Sequence, residues 1–473
     1  MKKMLVLLFL LLMLATVSLA ESSVLSIPSN VTAIEEEAFM NDDSITTVIL
    51  PDIITSIGDR AFFGCNALMT LEIPVSVTFI GEDAFGDTPN LVLTVTGDSY
   101  AEQYCIDNDL NYNAVGSQAE PGENFTYTVL PDGNLEITGY NGSAVNLIIP
   151  GQINGKKVTS LGENAFEWLS FIKSVKIPYS VTSIKSYAFM ECEELTDVTI
   201  PSKVTDIGKY AFGYCRSLTH IEIPESITTL DEGAFVQCWG LTEVTIPGNL
   251  TTVVKGVFQD CRGLTRVVIN SGVTTLNEYS FSACDNLTDI TLPTTLRTIG
   301  EGVFSYCPNL STITIPEGVT EVGEAAFFMD SSLTEVRFPS SLRAIGGSAF
   351  YLCTSLSSVD LPEGLAEIGA NTFAYCSSLT NATFPGSLSV IGEYSFQSCN
   401  SLTEIVIAEG VTTIEEYAFS LCPNLASAIL PASLTFIGEC NFDPVADNFV
   451  ATVPAASYAL DYCLNNNLAY VIV

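Results

Sequence analysis

Apolar and polar residues alternate along this chain in a pattern that repeats every 23 residues. In one unit, residues 189 to 211, the spacing of Val198 and Ile200 is typical of a short strand with one buried face. Pro201 then ends the strand, because proline cannot donate to a ladder of hydrogen bonds. A further apolar stretch around Ile207 leads into the next unit. The pattern predicts a strand and a turn in each repeat.

A phenylalanine marks the phase of the repeat. Phe39, Phe62 and Phe85 form one series, and a second series of 13 positions runs from Phe166 to Phe442. A fixed period of this length is the sequence signature of a leucine-rich-repeat solenoid, in which successive coils stack on each other. We therefore predict a right-handed leucine-rich-repeat coil with a parallel β-sheet on its concave face.

Two similar segments close the two series. Residues 99 to 112, SYAEQYCIDNDLNY, resemble residues 457 to 470, SYALDYCLNNNLAY. A serine followed by a run with apolar periodicity predicts a short capped helix. We interpret both copies as caps that cover the apolar end of a solenoid.

The same break in phase suggests how the chain is divided. We expect residues 21–115 to form a short array, residues 116–123 a linker, and residues 124–473 a long array. Two alternating stretches around residues 131–134 predict a β-hairpin that starts the long array. Five extra residues around positions 154–157 are expected to form a surface loop.

Eleven of the 14 cysteines lie three residues after a repeat phenylalanine. They are Cys65, Cys192, Cys215, Cys238, Cys261, Cys284, Cys307, Cys353, Cys376, Cys399 and Cys422. Neighbouring coils about 4.8 Å apart would allow disulfides. Leu169 and Asp330 occupy the same slot, so a small, mostly buried side chain is the preferred interpretation over disulfides.

Glycine recurs four residues before the phenylalanine in 10 of 16 coils, for example at Gly208. We interpret this as a position where a positive φ is convenient. Lys185 and Asp231 at the same slot show that it is not required.

The N-terminus resembles a secretory signal peptide. Lys2 and Lys3 precede an apolar run from Met4 to Leu14, and a small-residue site ends at Ala20. We expect residues 1–20 to be cleaved, with an uncleaved anchor as the alternative. No transmembrane segment is expected later in the chain, which predicts a secreted or cell-surface protein.

The charge is strongly acidic, with 17 Lys and Arg against 54 Asp and Glu and a net charge of −37. Such a surface repels phosphate backbones, which argues against nucleic acid and anionic membranes as partners. Solubility explains the excess of carboxylates, and attraction to basic partners or divalent cations is the alternative.

The coil motif A-F-x-x-C-x-x-L-x-x-I-x-I-P is nearly intact at Ala211, Phe212, Cys215, Leu218 and Ile223. With its hairpin and its Ser-Tyr-Ala caps, the chain resembles the BspA-like leucine-rich-repeat family of secreted and surface proteins. The resemblance implies a binding or adhesion protein that acts on host or neighbouring-cell surfaces. It brings no catalytic motif and no cofactor.

Residues eight and ten positions after each phenylalanine should point outward from the open sheet. The convex turns and loops are the alternative binding surface, and solvated strand residues are the alternative interpretation. The charged candidates for ligand binding are Lys176, Asp197, His220, Glu222, Glu243, Arg266, Asp289, Glu335, Arg337, Asp360 and Glu404.

His220, the only histidine, would lie between Asp197 and Glu243 on neighbouring coils. This arrangement could hold a metal ion, but a plain exposed histidine is the preferred interpretation in so acidic a protein. No serine occupies the adjacent slots, and the carboxylates are dispersed at the repeat spacing, so we expect no enzyme activity.

The favoured function is therefore non-enzymatic recognition of a protein ligand, or adhesion, without a cofactor. The alternative is a structural protein that self-associates through its solenoid. The first array begins without a hairpin, so its leading edge is either open to another chain or covered by residues 21 to 27.

Overall fold

A computed structural model describes residues 24–97, 99–108, 110–116 and 119–473. The predicted signal peptide, residues 1–20, lies outside these residues. The chain divides into two compact units between Ala119 and Glu120, and each unit has its own hydrophobic core. Both units are parallel β-solenoids with about 23 residues per turn, which confirms the predicted fold class.

The predicted strands form a first row, here called the open row, in both units. Partners lie 23 residues apart with no slip in register, as between Asp197 and Ser174 or between Asp289 and Arg266. In the shorter unit the open row contains β1 (Val24–Ser26), β3 (Thr47–Ile49), β5 (Thr70–Ile73), β7 (Val92–Thr96) and β8 (Tyr112–Val115). In the longer unit it contains β11 (Asn146–Ile148), β14 (Ser174–Lys176), β16 (Asp197–Thr199), β19 (Glu243–Ile246), β21 (Arg266–Ile269), β23 (Asp289–Thr291), β25 (Thr312–Thr314), β27 (Glu335–Arg337), β29 (Ser358–Asp360), β31 (Asn381–Phe384), β33 (Glu404–Ile407), β35 (Ser427–Ile429), β37 (Val450–Val453) and β38 (Tyr470–Ile472).

A second row of parallel strands, here called the back row, was not predicted. Most of its strands have only two residues and fall on the apolar stretch that precedes each phenylalanine. In the shorter unit they are β2 (Ala33–Ile34), β4 (Ser56–Ile57) and β6 (Phe79–Ile80). In the longer unit they are β13 (Lys156–Leu161), β15 (Ser183–Ile184), β17 (Asp206–Ile207), β18 (Thr229–Leu230), β20 (Thr252–Val253), β22 (Thr275–Leu276), β24 (Thr298–Ile299), β26 (Glu321–Val322), β28 (Ala344–Ile345), β30 (Glu367–Ile368), β32 (Val390–Ile391), β34 (Thr413–Ile414) and β36 (Phe436–Ile437).

The open row is not one continuous sheet, contrary to the prediction. Residues 220–222 form no strand between β16 and β19. The flanking backbone bonds are long here, because Thr219 donates to Thr196 and Thr242 donates to Thr219 at 3.4 Å each. The equivalent bond from Thr265 to Thr242 is 2.8 Å. The row is interrupted again between β23 and β25 and between β27 and β29.

Stacked phenylalanine rings fill the centre of each unit. In the longer unit, successive ring centroids are 4.8 to 6.1 Å apart from Phe166 to Phe442. The cysteine row runs beside the rings, and its members are buried and free, as predicted. The Cys192 thiol donates to the Phe166 carbonyl of the preceding coil at 3.2 Å, and burial raises its pKa to about 12. Each thiol thus joins one coil to the next.

The recurring glycine has a different reason from the one predicted. Gly208 does not have a positive φ. A Cβ at Gly208 would lie 2.5 Å from the backbone nitrogen of Ser186 in the preceding coil. The slot therefore favours glycine because neighbouring coils approach closely there.

The longer unit starts with a short 3₁₀ helix (Gly122–Asn124) and the predicted hairpin, in which β9 (Phe125–Val129) pairs antiparallel with β10 (Leu135–Tyr140). The expected surface loop at 154–157 is wrong. β12 (Gln152–Ile153) pairs antiparallel with β13 through a two-residue turn at Asn154 and Gly155. Both turn residues have positive φ, 53° and 73°, so the five extra residues form a second tight hairpin.

The two predicted caps are confirmed as helices. They are α1 (Tyr100–Asp107) and α2 (Tyr458–Asn465). The Ser99 hydroxyl accepts the N–H of Glu102, and the Ser457 hydroxyl accepts the N–H of Leu460. In each cap a tyrosine packs edge-on against the last phenylalanine of its unit, Tyr104 at 6.2 Å and Tyr462 at 6.1 Å. The caps therefore close the aromatic stacks.

Candidate binding surface

The open row of the longer unit places alternate residues on opposite faces. Val198 is buried between Asp197 and Thr199, and the same pattern recurs along the row. All eleven charged candidates from the sequence are exposed. The surface is therefore a set of charged and hydroxyl side chains held on a backbone with a fixed spacing.

The strongest charge alignment lies on three consecutive strands. Glu243, Arg266 and Asp289 are direct partners in the ladder. The Arg266 guanidinium donates to the Asp289 carboxylate at 3.1 Å, with both side chains more than half exposed. Arg266 therefore has a carboxylate on each side and binds one of them.

A second ion pair lies within a single strand. The Arg337 guanidinium donates to Glu335, two residues away, at 2.7 Å. The adjacent carboxylate raises the pKa of Arg337. The two pairs leave the open row locally neutral although the chain is strongly acidic.

The other candidates do not converge on one point. Lys176 lies opposite Thr199, Asp360 opposite Thr383, and Glu404 opposite Asn381. His220 and Glu222 lie in the interruption between β16 and β19. Among the described residues, no group of three His, Cys, Asp or Glu side chains could hold a metal ion. The structure therefore offers His220 no ligand set in the part of the chain that it describes.

Sequence reasoning missed a second charged row, four residues after each phenylalanine. Trp239 lies between two guanidinium groups, with Arg216 at 4.5 Å and Arg262 at 5.2 Å from its ring centroid. Arg216 pairs with Glu193 at 2.8 Å, and Arg262 lies 3.9 Å from Asp285. The stack spans five coils, so it shows only when equivalent positions of successive repeats are compared.

A carboxyl group interrupts the cysteine row. Asp330 is fully buried, and its Oδ1 accepts the backbone N–H of Cys307 at 2.8 Å. Its Oδ2 has no hydrogen-bond partner among the described residues. Burial, with a smaller contribution from Cys307, holds the pKa of Asp330 well above its usual range. The group belongs to the core and not to the exposed surface.

A family model described as "BspA type Leucine rich repeat region (6 copies)" matches residues 19–109, 145–265, 205–332 and 325–445. These ranges cover more than half of the chain. The chain therefore belongs to the BspA-type leucine-rich-repeat family, as the motif in its coils predicted.

Solved structures show the same architecture. A leucine-rich-repeat protein from Bacteroides ovatus is 26% identical, with 74% of this chain and 98% of that chain covered and a TM-score of 0.60. A leucine-rich cell surface protein from Faecalibacterium prausnitzii is 28% identical, with 62% of this chain and 96% of that chain covered and a TM-score of 0.38. No curated protein matches the chain.

The fold class limits the range of functions. Leucine-rich-repeat families typically mediate protein–protein interactions and are generally non-enzymatic. Within the described residues, no helix has the length and apolar character needed to cross a membrane.

Proposed function

We propose that this chain is an extracellular recognition or adhesion protein that binds a protein ligand on a host or neighbouring-cell surface. The open row of the longer unit is the proposed binding surface. The observation that carries the proposal is the exposure of eleven charged side chains on rigid, evenly spaced strands. Such a surface supports recognition by charge complementarity without chemistry.

The segment around Arg266 is the proposed centre of this surface. Its side chain is held by Asp289 and flanked by Glu243, so both signs of charge are presented within three strands. A partner that places a carboxylate over Arg266 and a cation over Glu243 would satisfy both. Arg337 and Glu335 offer a second such pair further along the row.

Surface plasmon resonance over immobilised extracellular-matrix and cell-surface proteins tests this proposal. We expect saturable binding to at least one protein, which Arg266→Glu together with Arg337→Glu weakens. Arg297→Glu together with Arg343→Glu is the matched control, because these exposed arginines make the same change in charge outside the open row. Absence of any saturable ligand, or equal loss in both double variants, would count against the open row.

Secretion is part of the proposal and has a separate test. The proposed mature chain begins at Glu21, after the small-residue site that ends at Ala20. N-terminal sequencing of the protein recovered from culture medium should give Glu21. Recovery only from the cytoplasm, with Met1 retained, would contradict it.

Self-association is a second candidate function, and the last strand of the longer unit favours it. β38 pairs with β37 along one edge, and all three of its residues, Tyr470 to Ile472, are exposed. An exposed edge strand is a template for pairing with another chain. Sedimentation velocity should then show dimers or longer species that increase with concentration. A strict monomer over a wide concentration range would dismiss this function.

A further inference from the structure

Four consecutive coils of the longer unit carry a large apolar side chain two residues after the repeat phenylalanine. These residues are Tyr306, Met329, Leu352 and Tyr375. Tyr306, Met329 and Tyr375 are 48%, 38% and 37% exposed. Most other coils of this unit have a smaller or more polar residue at the same slot, namely Glu191, Gln237, Asp260, Ala283 and Ser398.

The backbone gives no reason for large apolar residues at this slot. All four lie in the left-handed region, with φ between 59° and 64°. This region is unfavourable for bulky side chains and suits glycine, asparagine or aspartate. The side chains also lie outside the buried core. An unfavourable backbone conformation combined with exposed apolar groups indicates a surface kept for binding.

Aromatic rings on two adjacent slots join these coils. The ring of Tyr306 lies 5.4 Å from Phe328, Phe328 stacks on Tyr351 at 5.0 Å, and Tyr351 meets Tyr375 at 5.3 Å. Four linked rings restrict each other's motion, so they form a preorganised platform. Preorganisation lowers the entropy cost of binding.

A groove of about 390 Å³ lies beside the platform. Tyr306, Met329 and Leu352 line it, together with Pro308 and the Asp285 carboxylate. Its volume suits the insertion of one or two apolar side chains, and methionine adapts its shape to them. The apolar lining favours a protein anchor over a ligand rich in hydroxyl groups.

The charge at the groove selects among protein ligands. Asp285 is the one charged residue that lines it. Arg262, which lies 3.9 Å from Asp285, binds Asp260 more closely at 2.7 Å, so it leaves the Asp285 carboxylate incompletely paired. The chain as a whole has a net charge of −37. An approaching lysine or arginine is therefore attracted, and an acidic segment is repelled.

We propose that this groove docks a basic segment of a partner protein. The segment inserts an apolar side chain between Met329 and the aromatic platform, and places a lysine or arginine against Asp285. The groove shares no residue with the open row, so this proposal goes beyond the proposed function and stands independently of it.

A random dodecapeptide library displayed on phage tests the proposal. The library is first depleted on the full chain carrying Tyr306→Gln and Met329→Gln, and then selected on the unchanged chain. Glutamine already occupies this slot at Gln237, so the repeat accepts it. We expect the enriched peptides to carry an apolar residue beside lysine or arginine. Their dissociation constants, measured by fluorescence anisotropy, should rise about tenfold in Met329→Gln and in Asp285→Asn.

Leu421→Gln is the matched control, because Leu421 is 46% exposed at the same slot and does not line the groove. It should leave the peptide affinities unchanged. Far-UV circular dichroism checks that each variant keeps the fold. Three results would overturn the proposal: no enrichment over the depleting variant, acidic peptides, or equal affinity for Met329→Gln and the unchanged chain. Loss of open-row binding in the earlier test would leave these outcomes unaffected.

Discussion

Two rows of the longer unit follow the same repeat with opposite results. The buried row presents phenylalanine in every coil from Phe166 to Phe442, and the open row changes from coil to coil among acidic, basic and hydroxyl side chains. A buried slot packs against the equivalent slot on both neighbouring coils, so any change must fit twice. An exposed slot contacts water, so it is free to vary. The buried rows therefore specify the fold, and the exposed rows can specify a partner.

Loss of one ring should break the buried row most severely. Phe258 is fully buried and stacks between Phe235 and Phe281 at 5.5 Å on each side. Phe258→Ala should lower the free energy of unfolding by about 3–5 kcal/mol, because it leaves a cavity and removes two ring contacts. Urea unfolding followed by circular dichroism measures this change.

Phe39→Ala is the control, since Phe39 is partly exposed and begins its series next to Phe62 alone. Its substitution should cost clearly less. A loss at Phe258 no larger than that at Phe39 would show that neighbouring coils do not constrain the buried row.

The exception within the buried rows should be a weak point that can be repaired. Asp330 places a carboxyl group where most coils bury a cysteine, and one of its oxygens has no hydrogen-bond partner among the described residues. Asp330→Cys should raise the free energy of unfolding at pH 7 by about 1–3 kcal/mol. The new thiol would face the carbonyl of Phe304, as the other thiols face theirs 26 residues earlier.

This gain should depend on pH. The raised pKa of Asp330 means that the folded state keeps its proton while the unfolded chain loses it above the ordinary aspartate pKa of about 3.9. The unchanged protein therefore loses stability as the pH rises from that value toward the folded pKa. The advantage of Asp330→Cys should be small at pH 4 and larger at pH 7. Asp289→Asn, at an exposed carboxylate, is the control; an equal pH trend there would contradict the explanation.

The sequence predicts the buried rows because each slot repeats the same residue type. It also predicts the caps, because Ser99 and Ser457 precede similar helices. The back row escaped prediction because a two-residue strand such as the one that ends at Ile207 is too short to show alternation. On the open row, Arg266 has an acidic neighbour on both sides, so spacing alone could not show that it binds Asp289 and not Glu243. The turn at Asn154 and Gly155 did carry a hairpin signal in its sequence.

The stack around Trp239 lies between the two extremes, because its side chains are half-buried. Trp239→Ala should lower the free energy of unfolding by about 1–2 kcal/mol, from two cation–π contacts and lost burial. Trp168→Ala is the matched control, since Trp168 is 64% exposed and is the other of the two tryptophans. Its change should stay within about 0.5 kcal/mol. Equal losses in the two urea titrations would mean that the arginines do not stabilise Trp239.

The smallest effect on stability is expected on the open row. Arg266 and Asp289 form an ion pair with both side chains more than half exposed, and such pairs contribute about 0–1 kcal/mol. Arg266→Ala and Asp289→Asn should each change the free energy of unfolding by less than about 0.5 kcal/mol, and the double variant should show little coupling between them. A coupling free energy above about 1 kcal/mol would make this pair part of the scaffold. The open row would then be constrained by the fold as the phenylalanines are, and it would lose its freedom to be shaped by a ligand.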